Sequence, residues 1–250
     1  MCTLIVAYKV FENYPIVIAA NRDELLDRPS ETPAIRDDKF GIYAPKDLAR
    51  GGTWIGVNKF GLFVGLTNRL DIRSQPNCFS RGEAVMRTLR HRSALEAIDY
   101  MAPLSCEKLN GFHMVIADKN HLCLIKGNGI LMYRSLETRG ALVITNHGVG
   151  KTVNSRTPRR VANVLTAWEA SKFADSEPTP ESLAPLLGIH DEGRHGTCIS
   201  EPENNYGTKS SSIIRLGNDG KYEYWHRERP APERHICEVE FKKTFPQATA

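Results

Sequence analysis

The sequence has no apolar run approaching the roughly 20 residues that a bilayer demands, so no integral membrane segment is expected. It has no C-x-x-C pair. Its six cysteines (Cys2, Cys78, Cys106, Cys123, Cys198 and Cys237) lie far apart, which fits neither a compact zinc site nor a dense secreted disulfide framework. The first apolar stretch is short and has neither a cationic leader nor a cleavage site, which argues against a signal peptide. A basic stripe and interleaved stacking aromatics are missing too, so no nucleic-acid partner is expected despite a formal net charge of +4. Gly51-Gly52 leads into a strand rather than a helix, so no phosphate loop is read there. Together these absences point to a cytoplasmic protein whose thiols stay reduced.

What is present is ordinary for a folded globular chain: 250 residues, 41% hydrophobic and 25% charged, enough for one large domain spanning 1–250. The cluster Arg156-Thr157-Pro158-Arg159-Arg160 reads as a solvated helix start. Residues 3–10 and 15–20 form two β-rich runs that are apolar on both faces, as buried strands are. A second hairpin is predicted at 53–58 and 62–68. Ser80-Arg-Gly-Glu83 is a capping box opening a helix to about residue 91, with another helical piece at 94–101. A four-strand meander is expected at 112–118, 121–126, 130–135 and 141–145. Pro158 opens a helix carrying Val161, Val164, Leu165 and Trp168, and 180–187 reads as another. Late strands follow at 197–200, 210–216 and 222–226, giving a layered α+β arrangement.

The chemistry of interest sits at the first hairpin. Cys2 follows the initiator methionine, and removal of Met1 would leave its thiol beside its own α-amino group. That amine titrates near pH ~8 and a free thiol near ~8.5, so the amine can accept the thiol proton. A hairpin reversing near residues 12–14 sets residue 4 roughly opposite residue 22 and returns Arg22 and Asp23 to the side of Cys2. A guanidinium there lowers a thiol pKa. Asp23 could hold Arg22 by a bidentate pair or orient the amine. An ordinary surface ion pair on a core hairpin is the alternative. Val143-Ile-Thr-Asn-His-Gly148 adds a strand ending in Asn146, whose amide could donate to a developing oxyanion or belong to a plain turn.

Met1-Cys2-Thr3, Ala20-Asn-Arg-Asp-Glu24, Gly51-Gly-Thr-Trp-Ile-Gly56, Leu66-Thr-Asn-Arg69, Ser80-Arg-Gly82, Thr145-Asn-His147 and Tyr206-Gly-Thr-Lys-Ser-Ser211 occur in that order. In these motifs the chain resembles the NRDE family, which includes the Transport and Golgi organization protein 2 group. The resemblance implies the four-layer αββα sandwich of N-terminal-nucleophile hydrolases. It is also similar, more distantly, to penicillin V acylases and bile salt hydrolases, which implies a catalytic group of Cys2 as nucleophile, Arg22, Asp23 and Asn146. Asp23 directly follows Arg22 here, whereas those amidases separate the two. Lys209 is the nearest counterpart of their late arginine, and lysine cannot form a guanidinium fork. Asn21, Trp54, Asn68, Arg69, His147 and Lys209 are the residues expected to bind substrate, with Trp54 as core or pocket wall. The resemblance implies a hydrolase or acyltransferase acting on an amide or thioester, or else a carrier of haem or an acyl-CoA or lipid ligand. No cofactor is required for the first. For haem, His147 and Cys2 are the expected ligands, while His113 and His121 read as strand residues. His190, His195 and Cys198 have loosely metal-like spacing but lack a fourth ligand, so no metal is expected.

Overall fold

The computed structural model describes residues 2–75, 77–101, 109–128, 132–171, 173, 177–229 and 236–244. Cys106 and residues 130–131 of the expected third meander strand lie outside them. The chain opens with β1 (Cys2–Tyr8), β2 (Ile16–Leu25), β3 (Ser30–Asp37) and β4 (Ile42–Asp47). Next come β5 (Ile55–Val57), β6 (Phe63–Asn68), α1 (Arg81–Thr88) and α2 (Ala94–Met101). The middle carries β7 (Phe112–Ala117), β8 (Leu122–Gly127), β9 (Met132–Leu136), β10 (Gly140–Thr145) and β11 (Gly148–Gly150). After α3 (Arg159–Ala170) and α4 (Pro180–Leu187) the chain ends in β12 (Ser200–Glu201), β13 (Tyr206–Leu216), β14 (Tyr222–Glu228) and β15 (Lys242–Lys243).

These elements fall into two compact units. The first takes the described parts of Met1–Arg28, Arg139–Gly217 and Tyr222–Phe245, and the second those of Pro29–Thr138 and Asn218–Lys221. In the first unit the sheet order is β11-β10-β1-β2-β13-β14-β15, with β12 paired to β13. Ile5, Ala7, Val17, Ala19, Val143 and Ile213 pack there against Val161, Val164 and Leu165 of α3 and Leu183, Leu186 and Leu187 of α4. Leu4, Val6, Ile18, Ala20, Ile144 and Ile214 on the opposite face are also buried, as the two-sided apolar runs require. The second unit is a seven-stranded sheet running β3 to β9 in chain order. Its core joins Ile42, Val64, Met114, Ile116 and Ile125 to Val85, Ala97 and Met101 of α1 and α2. Cys123 lies within that core as a small buried hydrophobe.

Several expectations are corrected. The strand begun at Ile16 does not stop at Ala20 but runs through Asn21-Arg22-Asp23-Glu24 to Leu25, because β1 and β13 both pair with it. The fourth meander strand leaves its neighbours: β10 pairs with β1 in the other sheet. β3 and β4 were not expected, since Pro33 and the charges around Arg36–Lys39 break any alternation in the first and Pro45 interrupts the second. The first hairpin turns earlier than expected, with Lys9 N–H donating to the Pro15 carbonyl at 2.7 Å, so Cys2 rather than Leu4 faces Arg22.

Candidate active site

Strand pairing assembles the site. β1 lies between β10 and β2, and its first residue, Cys2, is directly opposite Arg22. On the other side Thr3 is opposite Thr145, so the next residue, Asn146, comes level with Cys2. The Cys2 nitrogen donates to Asn146 Oδ1. Arg22 is in turn opposite Ser210 of β13. Residues directly opposite one another in an antiparallel sheet share a face, so Asn146, Cys2, Arg22 and Ser210 form a row across four adjacent chain segments. Cys2 is half-buried, and Arg22, Asn146 and Ser210 are buried.

Asp23 belongs to the other face. Side chains alternate along a strand, so the Asp23 carboxylate is directed to the opposite face from its neighbour Arg22. Its Oδ2 accepts from Arg160 Nη2 at 2.9 Å and its Oδ1 from Thr208 Oγ1 at 2.6 Å. Both members of the Asp23–Arg160 pair are essentially inaccessible, at 0% and 1% side-chain exposure. Arg160 also donates through Nε to the Gly196 carbonyl. It is therefore not part of a solvated helix start: it stands on the same stripe of α3 as Val161, Val164 and Leu165, and that helical spacing is the signal that could have revealed it.

Asn21 shares Asp23's face. Its amide nitrogen donates to the carbonyls of Leu187 and Thr197 at 2.9 and 2.7 Å, and its oxygen accepts from Ser211 Oγ at 2.6 Å. Both amide hydrogens are thus spent holding the end of α4 and the Thr197 loop against the sheet, which leaves neither for a substrate. Lys209 sits at the β13 irregularity between Thr208 and Ser210, and its Nζ donates to the Arg28 carbonyl. Burial and then the Arg22 charge hold its pKa below the usual lysine value. Lys209 thus sits within electrostatic reach of the Cys2–Arg22 row. His147 is exposed, its N–H donating to Thr145 Oγ1 at 3.2 Å.

Trp54, Asn68 and Arg69 belong to the second unit. The Trp54 carbonyl accepts from the Leu66 N–H at 2.8 Å. Asn68 closes β6 opposite Phe112. Arg69 pairs with Asp71, Nε to Oδ1 at 3.0 Å.

Electrostatics at Cys2 run against the expected low thiol pKa. Burial, the largest influence, pushes the thiol above its ordinary value. The chain's terminal amine, the Asp23 backbone N–H and Arg22 pull the other way without cancelling it, and the Asp23 carboxylate adds to the rise. Cys237 is a thiol held below its usual value, chiefly by a hydrogen bond from Cys198, with Arg227 and His190 assisting.

The two sheets and the helices packed on them give the chain the fold of N-terminal-nucleophile hydrolases, as solved structures show. A mutant conjugated bile acid hydrolase from Clostridium perfringens is similar to it with a TM-score of 0.61, at 11% identity over 99% of this chain and 97% of that one. Penicillin V acylase from Agrobacterium tumefaciens is similar with a TM-score of 0.57, at 14% identity over 93% of this chain and 84% of that one. Residues 1–230 match the family described as Transport and Golgi organisation 2, and the chain belongs to that family. The Transport and Golgi organization protein 2 homologs of Bos taurus and Homo sapiens are each 26% identical to it over 245 residues, covering 86% of either chain.

Proposed function

We propose that the protein is a cysteine hydrolase or acyltransferase acting on an amide or thioester acyl bond, with Cys2 as the nucleophile. The observation that carries this reading is the row Asn146–Cys2–Arg22, which sets a thiol between an amide and a guanidinium at one end of β1. Processing ahead of Cys2 would turn the nitrogen that already donates to Asn146 into an α-amine able to take the thiol proton. The thiolate would add to the acyl carbon and the C–N or C–S bond would break. The leaving group takes its proton from the Cys2 ammonium, and water or an acceptor amine then releases the S-acyl group. In this reading the Asn146 amide nitrogen would donate to the oxyanion of that addition. Asp23 supports the reading as a positioning residue, because Arg160 and Thr208 fix the strand segment that carries Arg22.

The test is turnover of short acyl amides and acyl thioesters. Cys2→Ser should abolish it, and Asn146→Ala should lower kcat by a factor of about 10²–10³. A carrier of haem or an acyl ligand would instead show ligand binding in the unaltered protein with no turnover to lose, and that outcome rules out the enzyme.

A further inference from the structure

A second cluster in the first unit lies outside this row, and the sequence reading held only part of it. We propose that His190, Cys198 and Cys237 form a binding site for a borderline-soft divalent cation, with zinc the fit of choice, leaving a fourth position open. One imidazole nitrogen and the two Sγ atoms all lie within 4.8 Å of one another. Tetrahedral zinc, with bonds of about 2.3 Å to sulfur and about 2.0 Å to nitrogen, sets such ligands about 3.5–3.8 Å apart, inside that spacing. Two thiolates balance the charge of the dication, and a thiolate–imidazole donor set favours zinc over magnesium or calcium.

Hydrogen bonds within the chain hold the segments that carry the three side chains. His190 follows the Gly188 cap of α4, and the N–H groups of Thr197 and Cys198 both donate to the Ile189 carbonyl, at 2.8 and 3.0 Å. Thr197 Oγ1 accepts from the Ile189 N–H at 3.0 Å and donates to the Leu186 carbonyl at 2.9 Å, tying the Cys198 loop to the end of the helix. Cys237 lies on the helical turn Ile236–Glu238, where the buried Arg227 donates to the carbonyls of Cys237 and Val239 at 3.4 and 3.2 Å. Exposure rises from buried Cys198 through Cys237 to exposed His190, which gives an entry path to the thiols. His195, whose spacing from His190 and Cys198 is only loosely metal-like, belongs to the Glu192–Arg194 turn, its N–H donating to the Glu192 carbonyl. Cys237, distant in sequence, takes its place.

The experiment is titration of the reduced full-length protein with Co²⁺ and then Zn²⁺. One equivalent of Co²⁺ should give thiolate-to-cobalt charge-transfer absorption that Zn²⁺ abolishes, and bound zinc should slow alkylation of Cys237 at least tenfold. His190→Ala, at an exposed position that spares the fold, should weaken Co²⁺ binding tenfold or more, and Cys237→Ser should remove the charge-transfer band. An unaltered chain that shows no band, or a band that survives Cys237→Ser, overturns the proposal. So does recovery of a Cys198–Cys237 disulfide whose reduced form takes up no cation.

Discussion

Asp23 and Arg160 carry opposite charges in a place water does not reach, and neither has a solvent route to relax if its partner is removed. Removing one member of such a pair typically costs about 3–5 kcal/mol, because the other charge stays buried. Asp23→Ala and Arg160→Ala are each expected to lower unfolding free energy by roughly that amount, and the double variant by clearly less than their sum, read by urea denaturation. The thiols make a different prediction. A raised pKa means that less thiolate is present at neutral pH, so Cys2 in a chain that keeps Met1 should be alkylated slowly. Its rate should climb about tenfold per pH unit until the pH passes that raised value. In metal-free protein Cys237, whose thiolate is favoured, should be labelled ahead of Cys2 and Cys198 near neutrality, and peptide mass spectrometry of iodoacetamide adducts gives the order. Cys2 and Arg22 were legible as neighbours because one local hairpin sets their distance. Arg160 was not, because its charge masked the apolar stripe it stands on. Cys237 was not, because its contact with Cys198 is set by tertiary folding that no spacing rule encodes.

Alternation along β2 does most of the sorting at the site: even-numbered Arg22 goes with Cys2, and odd-numbered Asn21 and Asp23 go toward α3 and α4. A one-residue slip would exchange the two sets, so the pairing of β2 with both β1 and β13 is what fixes the chemistry. The glycine motifs have a structural explanation in the second unit. Gly52 has φ +73°, and a Cβ there would lie 2.3 Å from the Gly82 backbone carbon, while Thr53 N–H donates to the Gly82 carbonyl at 3.1 Å. Gly51 is also left-handed but faces open space. Gly52→Ala should therefore cost roughly 2–5 kcal/mol from backbone strain plus overpacking, and Gly51→Ala only about 1–2 kcal/mol from strain alone, compared by thermal or urea melts. Helix positions were readable, though not every cap: Ser80 does cap α1 while the Glu83 side chain accepts from Arg87, and on α4 Thr179 with Ser182 forms a capping box that was not foreseen. Strand β3 was not, since its exposed and charged positions give no period-2 signal, and in β4 the buried run Ile42-Tyr43-Ala44 is cut short by Pro45.

Across the molecule, two sheets are built from interleaved stretches of one chain, the first unit being entered, left and entered again. Solved structures of bile acid hydrolase and penicillin V acylase share the fold over nearly all of this chain, and the family match extends from residue 1 to residue 230. Ordered motifs made that much legible, because each marks a strand end or a tight backbone contact that the fold needs. Among the described residues no helix is long and apolar enough to cross a membrane. Substrate identity is not written in the same way, since side chains from many segments shape a pocket while only a few carry the chemistry. The most direct measurement is therefore covalent: incubation of the purified protein with an acyl thioester, acid quench, and mass spectrometry of the N-terminal peptide. The peptide should begin at Cys2 and carry one added acyl mass, and Cys2→Ala should carry none. A folded protein that retains Met1 and shows no acyl mass on that peptide contradicts a nucleophilic role for Cys2.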